Sequence, residues 1–127
     1  MENREIKFRI WNIKEKEYSK NFTLSEVDIA NFNLQDIDDN YIFQQFTGLF
    51  DKNGKEIYEG DILKVSFIKE SAAYPYKYEG QVIWNNKYSR FQINGIKKYS
   101  RFDTFNNFDY LIIKIIGNIF ENSELLK

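Results

Sequence analysis

The sequence predicts a mainly β protein of coiled antiparallel sheets. Aromatic residues make up 18% of the 127 residues, and isoleucine occurs 17 times whereas alanine occurs only three times. Aromatic and β-branched side chains suit a pleated, half-buried sheet surface, whereas helices favour alanine and leucine. Short apolar runs also recur between turn residues, a spacing typical of a barrel or of coiled sheets. The hydrophobic fraction of 43% is large enough for the core of a single domain.

The N-terminal part is predicted to form a β-hairpin followed by an acidic segment. Side chains alternate in character over 5–13, which indicates a strand with one face in a core and one in water. A polar turn over 12–18 lets 17–24 return as a second strand. From 25 to 40 the chain carries five acids and no positive charge. The Ser25-to-Asp28 spacing resembles that of a capping box and fits a short helix or an ordered loop, and the charge equally fits a mobile linker.

The middle of the chain is predicted to hold two strands joined by tight turns. Residues 41–50 form the first, which ends in a turn at Asn53-Gly54 because both residues tolerate positive φ. Glu59-Gly60-Asp61 then introduces a strand that continues to Ile68. Residues 69–79, which contain Pro75, are predicted to be a loop.

The C-terminal part is predicted to hold a hairpin, a buried strand and a closing turn. Residues 80–84 and 90–93 flank a polar turn and form the hairpin. A short helical turn is expected over 104–110, and the apolar run 110–117 indicates a buried strand. Residues 121–126 are predicted to form a helical turn with Asn122 or Ser123 as N-cap.

Three segments carry a resemblance to a known family, namely REIKFRIW (4–11), QFTGLFDKNGKEIYEGDI (45–62) and IGNIFENSELL (116–126). In order and spacing they resemble the YopX proteins of phages and prophages of low-GC bacteria. The resemblance implies one domain over 1–127, with N-terminal strands and the acidic segment in 1–45 and an SH3-like barrel in 46–127. It implies a phage or prophage origin and no established activity.

Composition excludes several kinds of catalytic site. The chain has no cysteine and no histidine, which excludes disulfides, thiolate zinc sites and Ser/His or Cys/His nucleophiles within one chain. Three acids lie close together near Gly60, namely Glu56, Glu59 and Asp61. They could form a magnesium or paired-carboxylate site, or they could stabilise the turn at Gly60. We favour the turn, because aspartate side chains commonly accept hydrogen bonds from turn backbone. An enzymatic activity would therefore need a metal held by carboxylates alone. We predict no enzyme, no cofactor, no catalytic residue and no metal ligand.

The stretch 84–102 is the first candidate interaction surface. Between Gly80 and Phe102 there are five cations and no acid, although the whole chain has a formal charge of −1. Aromatic residues are interleaved with these cations, which is the composition of a nucleic-acid-binding face. The same composition fits an ordinary solvated face, or a protein contact that pairs with the acidic segment. The candidate residues are Lys87, Tyr88, Arg90, Lys97, Lys98 and Arg101.

The second candidate surface is the tyrosine-rich loop that contains Tyr74, Tyr76 and Tyr78. Tyrosine supplies rigid contact area at a small entropic cost, which suits a binding surface. The alternative is a loop that covers the barrel end and buries its rings against the core.

The sequence predicts a protein that acts by binding. The leading hypothesis is a phage accessory protein that binds an unidentified protein and forms a homo-oligomer, because so small a chain has many rings to bury. The alternative is a nucleic-acid-binding protein that uses 84–102. The N-terminus lacks the apolar core of a signal peptide, and the longest apolar stretch, 110–120, contains Lys114 and is too short to span a bilayer. We therefore expect a cytoplasmic protein without a membrane partner.

Overall fold

The computed structural model of the protein describes residues 5–26, 39–67, 77–98, 101–105 and 110–127. Within these ranges, ten strands form two antiparallel sheets, which confirms the predicted mainly β fold of curled antiparallel sheets. The strands are β1 (Lys7–Asn12), β2 (Glu17–Tyr18), β3 (Phe22–Thr23), β4 (Tyr41–Phe50), β5 (Glu56–Tyr58), β6 (Asp61–Phe67), β7 (Tyr78–Asn85), β8 (Arg90–Gly95), β9 (Phe102–Thr104) and β10 (Leu111–Asn118). The SH3-like character of 46–127 remains a prediction.

The first sheet has the strand order β2-β1-β4-β5, and β3 also pairs with β1. The predicted second strand over 17–24 is interrupted, so that β2 and β3 are separate pieces on β1. Ser19 lies at the interruption, where its Oγ accepts a hydrogen bond from the Ile10 N–H. A side chain thus replaces one ladder carbonyl at this point, which accounts for the break in the strand.

The second sheet has the order β10-β6-β7-β8-β9 and carries the main hydrophobic core on one face. Strand β6 pairs with β10 and β7, and alternate residues such as Leu63 and Val65 are fully buried on it. Cross-strand neighbours continue the core through Val82 on β7, Ile93 on β8 and Ile113 on β10. A period of two along each strand therefore places one face of this sheet in the core.

Gly60 joins the two sheets at the turn between β5 and β6. Its N–H donates to the Val82 carbonyl, and its own carbonyl accepts from the Ile119 N–H. Its φ of +87° lies in the region that favours glycine, and a Cβ there would lie 2.2 Å from Gln44 Nε2. The Glu59-Gly60-Asp61 turn that the sequence predicts is thus a crossing point of three chain segments.

Several predicted boundaries differ from the structure. The loop was predicted to extend over 69–79, but strand β7 already begins at Tyr78. The predicted end of the loop is therefore two residues too late. A helical turn was predicted over 104–110, but Thr104 belongs to strand β9. Phe105 and Tyr110 lie in 3-10 turns. Residues 106–109 lie outside the described residues. These short elements depend on their sheet partners, because β9 pairs with only three residues of β8.

Two further predicted segments are the acidic segment and the closing turn, and each agrees with the structure only in part. Leu24–Glu26 is a 3-10 turn, and 27–38 of the acidic segment lie outside the described residues. The closing turn, Ser123–Leu126, has as its N-cap Asn122, one of the two predicted candidates, but without a side-chain cap bond. Asn122 Oδ1 instead accepts from the Asn118 backbone N–H. In the part of the chain that is described, no helix is long and apolar enough to cross a lipid bilayer.

Candidate functional site

The basic stretch 84–102 is flanked by two acids that pair with its cations. Lys97 Nζ lies 4.0 Å from Glu79 Oε2, and Arg101 Nε lies 2.9 Å from Asp103 Oδ2. Glu79 and Asp103 stand immediately outside the acid-free stretch in sequence. Asp103 is only two residues from Arg101, and Glu79 on β7 meets the turn after β8, where its carbonyl accepts from the Ile96 N–H. The local excess of positive charge is consequently smaller than the sequence indicates.

The hairpin turn between β7 and β8 presents the remaining aromatic and basic candidates together. Tyr88 is 56% exposed, with Lys87 Nζ 5.4 Å and Arg90 Cζ 4.7 Å from its ring centroid. Asn85 Oδ1 fixes the turn by accepting hydrogen bonds from the N–H groups of Lys87 and Tyr88. Lys98 is exposed on a separate turn beside Lys97.

Tyr78 does not belong to an exposed tyrosine surface. Its side chain is 2% exposed and belongs to the main core, and its hydroxyl donates a hydrogen bond to Asp103 Oδ2. Burial and the neighbouring Asp103 carboxylate raise the pKa of Tyr78 above its usual range. Tyr78 alternates with Gly80 and Val82 on the inward face of β7, which is why it is buried. Tyr74 and Tyr76 lie outside the described residues.

The carboxylates near Gly60 form ion pairs and turn bonds. Asp61 Oδ2 accepts from the Tyr58 N–H at 2.7 Å, and Glu56 Oε2 lies 2.7 Å from Lys7 Nζ. Glu59 Oε1 accepts from the Gln45 N–H. Among the described residues, no cluster of three or more acidic side chains could hold a metal ion.

Arg9 is a largely buried cation between the two sheets, and it was not among the candidate residues predicted from the sequence. Its side chain is 12% exposed, and its Nη2 lies 2.9 Å from Asp61 Oδ1. Its Nε donates to Gln44 Oε1 at 2.8 Å. The rings of Tyr18 and Tyr58 lie 4.4 Å and 4.8 Å from its Cζ. Two tyrosine rings, an amide and a carboxylate therefore hold this guanidinium in one place.

Arg9 opens onto a polar cleft of about 500 Å³. The cleft lies between the start of β6, the end of β10 and the closing turn. It is lined by Arg9, Lys55, Asp61, Ile115, Ile116, Gly117, Asn118, Glu121 and Asn122. Each of the three segments on which the family resemblance depends contributes to this lining.

A second concavity, the seam groove, lies between β4 of the first sheet and β7 of the second, with a volume of about 260 Å³. Phe43 and Trp84 are 40% and 41% exposed at this groove. Phe120 also lines it, stacked on Trp11 with ring centroids 5.0 Å apart. The lining residues are Ile42, Phe43, Gln44, Glu59, Gly60, Gln81, Val82, Ile83, Trp84, Ile119 and Phe120.

The sequence contained one signal for the missed site, namely that Arg9 and Trp11 share one face of β1. The alternation over 5–13 predicts one core face without indicating which face that is. Trp11 is 6% exposed, so the face that also carries Lys7 and Arg9 turns inward. Tryptophan is usually well buried, so its presence on the face with the two cations indicated that this face turns inward.

Comparison with known proteins identifies the family. The family model described as YopX protein matches residues 7–127. The crystal structure of protein EF1440 from Enterococcus faecalis is similar to this chain, with a TM-score of 0.59 and 28% sequence identity over 96% of this chain and 98% of that chain. No functionally curated protein matches the chain. Since the family match spans nearly the whole sequence, this chain belongs to the YopX protein family.

Proposed function

We propose that this YopX protein is a phage- or prophage-encoded accessory protein of the host cytoplasm that acts as a non-catalytic protein-interaction module through its seam groove. The observation that carries the proposal is the exposure of Phe43 and Trp84, on different sheets, at a single groove. Large aromatic side chains at a concave surface are typical anchors of protein interfaces. The phage origin is inferred from the family alone.

The groove combines an apolar interior with a few polar groups. Ile119 and Phe120 are half-buried at the groove, so that an occupant meets apolar atoms that are already packed against the protein. Gln44, Glu59 and Gln81 add polar atoms to the same lining. This arrangement supports binding of a protein segment with apolar side chains and a few hydrogen-bonding groups.

A second copy of the chain is the partner that the charges around the groove favour. The β4 wall follows the acidic segment, of which Asp39 is described and exposed. The β7 wall leads into the hairpin turn that carries Lys87 and Arg90. In a two-fold contact Asp39 of one copy can face Lys87 and Arg90 of the other, and such complementarity fixes orientation.

Matched serine variants test the proposal in sedimentation-velocity experiments across a range of protein concentrations. Phe43→Ser and Trp84→Ser should each weaken self-association at least about tenfold, the usual scale for an interface anchor. Phe102→Ser is the control, because Phe102 is 57% exposed and does not line the groove. Equal self-association of all three variants and the wild type would contradict the proposed surface.

Nucleic-acid binding through 84–102 is the second candidate function. It is favoured by the exposed Tyr88 ring with Lys87 and Arg90 beside it, since cations can bind phosphates while a ring stacks on bases. In that case Tyr88→Ala, and charge reversal of both Lys97 and Lys98, should remove salt-sensitive binding of a mixed nucleic-acid pool. Binding that survives these changes, or an absence of binding at low salt, would reject this candidate.

A further inference from the structure

We propose that the polar cleft is a binding site for a small oxyanion, a carboxylate or a phosphate group, held by Arg9, Lys55 and Asn122. The proposal does not depend on the seam groove, because the two concavities share no lining residue. It rests on the hydrogen-bonding state of the polar atoms that line the cleft.

The side-chain acceptors of the cleft are almost all occupied by protein donors. Asp61 accepts from Arg9 Nη2 through Oδ1 and from the Tyr58 N–H through Oδ2. Asn118 Oδ1 accepts two backbone N–H groups, and Asn122 Oδ1 accepts the Asn118 N–H. Glu121 Oε1 accepts from Asn118 Nδ2, which leaves Glu121 Oε2 as the remaining carboxylate oxygen.

Several side-chain donors of the cleft, in contrast, have no hydrogen-bond acceptor among the described residues of the protein. Within the described part of the chain, Arg9 Nη1, Lys55 Nζ and Asn122 Nδ2 donate to no protein acceptor. No buried side-chain polar atom among the described residues lacks a partner, so Arg9 Nη1 reaches solvent. A cleft with free donors and occupied acceptors complements a ligand that is rich in acceptors.

Arg9 is suited to bind an oxyanion because its position is already fixed. Asp61 and Gln44 hold one edge of the guanidinium, and two tyrosine rings cover its faces. A guanidinium held in this way loses little further freedom when an anion binds to Nη1. Asp61 offsets the charge of Arg9 and Glu121 offsets that of Lys55, so the charged side chains of the lining sum to zero. Hydrogen bonds from the free donors, and not net charge, therefore hold the anion.

The dimensions and the charge of the cleft define the class of ligand. A volume of about 500 Å³ lies within the usual range for small-molecule sites, roughly 300–1,000 Å³. Glu121 places one negative charge on the wall, which weakens anion binding and provides a second test. Replacement of Glu121 by glutamine should strengthen the binding of an oxyanion, whereas it should weaken the binding of a cation.

The test is a titration of the full chain, followed by amide nitrogen–proton NMR, with inorganic phosphate and with acetate against chloride at equal ionic strength. We expect saturable shifts of the Gly117, Asn118 and Asn122 amides with at least one oxyanion. Lys55→Gln should weaken this binding about fivefold, as expected for one charge-assisted hydrogen bond. Lys52→Gln is the matched control, since Lys52 is exposed in the same turn and does not line the cleft.

The oxyanion series identifies the source of the ligand and can overturn the proposal. Saturation by phosphate alone would assign the site to phosphate esters, and saturation by acetate alone would assign it to carboxylates. Shifts that do not saturate, or that weaken equally in Lys55→Gln and Lys52→Gln, would overturn the proposal. So would weaker binding in Glu121→Gln.

Discussion

Arg9 and Asp61 are 52 positions apart in the sequence, and their side chains meet in an ion pair of 2.9 Å between the two sheets. The Arg9 side chain is 12% exposed and that of Asp61 is 3% exposed. This ion pair connects β1 of the first sheet to β6 of the second. It positions a guanidinium at the wall of the polar cleft, so that sheet packing and the proposed ligand site depend on the same two residues.

Removal of the Asp61 charge should destabilise the protein strongly. Asp61→Asn leaves the buried Arg9 charge without its partner, which costs about 3–5 kcal/mol of unfolding free energy. Urea unfolding of the purified variant measures this loss. Glu5→Gln is the control, because the Glu5 side chain is 54% exposed and Lys7 keeps its second partner, Glu56, so the change should cost less than about 1 kcal/mol. Equal stabilities of the two variants would contradict the assigned role of the Arg9–Asp61 pair.

The Asp51 carboxylate should make the unfolding free energy of the protein decrease at acidic pH. Burial alone would raise its pKa, but hydrogen bonds from the N–H groups of Ile115, Lys55 and Asn53 lower the pKa below the usual 3.8. A carboxylate with a lowered folded-state pKa stabilises the fold above its unfolded pKa, and this stabilisation is lost as pH falls through the folded pKa. The stability difference between wild type and Asp51→Asn should therefore shrink below about pH 4.

Urea unfolding between about pH 2.5 and pH 7 measures this difference, with Asp39→Asn as an exposed control. A difference that is constant across the range would contradict the role given to Asp51.

Gly60→Ala should destabilise the junction of the sheets. The backbone at φ +87° disfavours a side chain, and the new Cβ would displace Gln44. We expect a loss of roughly 1–3 kcal/mol in unfolding free energy, with the backbone conformation supplying at least about 1 kcal/mol. Gly54→Ala is the control, since its φ is also positive but nothing lies within 4 Å of its Cβ position. A larger loss in Gly54→Ala than in Gly60→Ala would contradict this account.

Tyr78→Phe should affect stability and leave association unchanged. The variant removes the hydroxyl that donates to the buried Asp103, which costs about 1–3 kcal/mol. Because Asp103 keeps its ion pair with Arg101, we expect the variant to fold. Thermal unfolding and sedimentation are the two measurements. Normal stability combined with weaker association would restore Tyr78 to an interaction surface.

The regular strands and turns could be predicted from local pattern. Alternation and apolar runs located β1, β4, β6 and β10, and glycine and asparagine located the turns between them. Strands β5 and β9 have three residues each and exist only because longer strands pair with them. Propensity within three residues is too weak to indicate such strands, since pairing with partners far away in sequence determines them.

The candidate surfaces could be predicted only in part, because a charge count over 80–102 omits the acids that lie just beyond its two ends. Glu79 and Asp103 end the acid-free stretch in sequence, and in space they pair with Lys97 and Arg101. The polar cleft was not predicted, because alternation over 5–13 left open which face of β1 turns inward. That choice depends on how the two sheets pack, which is decided by contacts far apart in sequence.

The central claim is that the protein acts by associating with protein, first with a second copy of itself. Light scattering after gel filtration, at low and high salt and with or without a mixed nucleic-acid pool, tests it most directly. We predict a defined oligomer, a whole-number multiple of 15.3 kDa, whose mass does not change when nucleic acid is added. A monomer at all concentrations that binds the pool at low salt and releases it at high salt would contradict the claim and support the basic 84–102 surface instead.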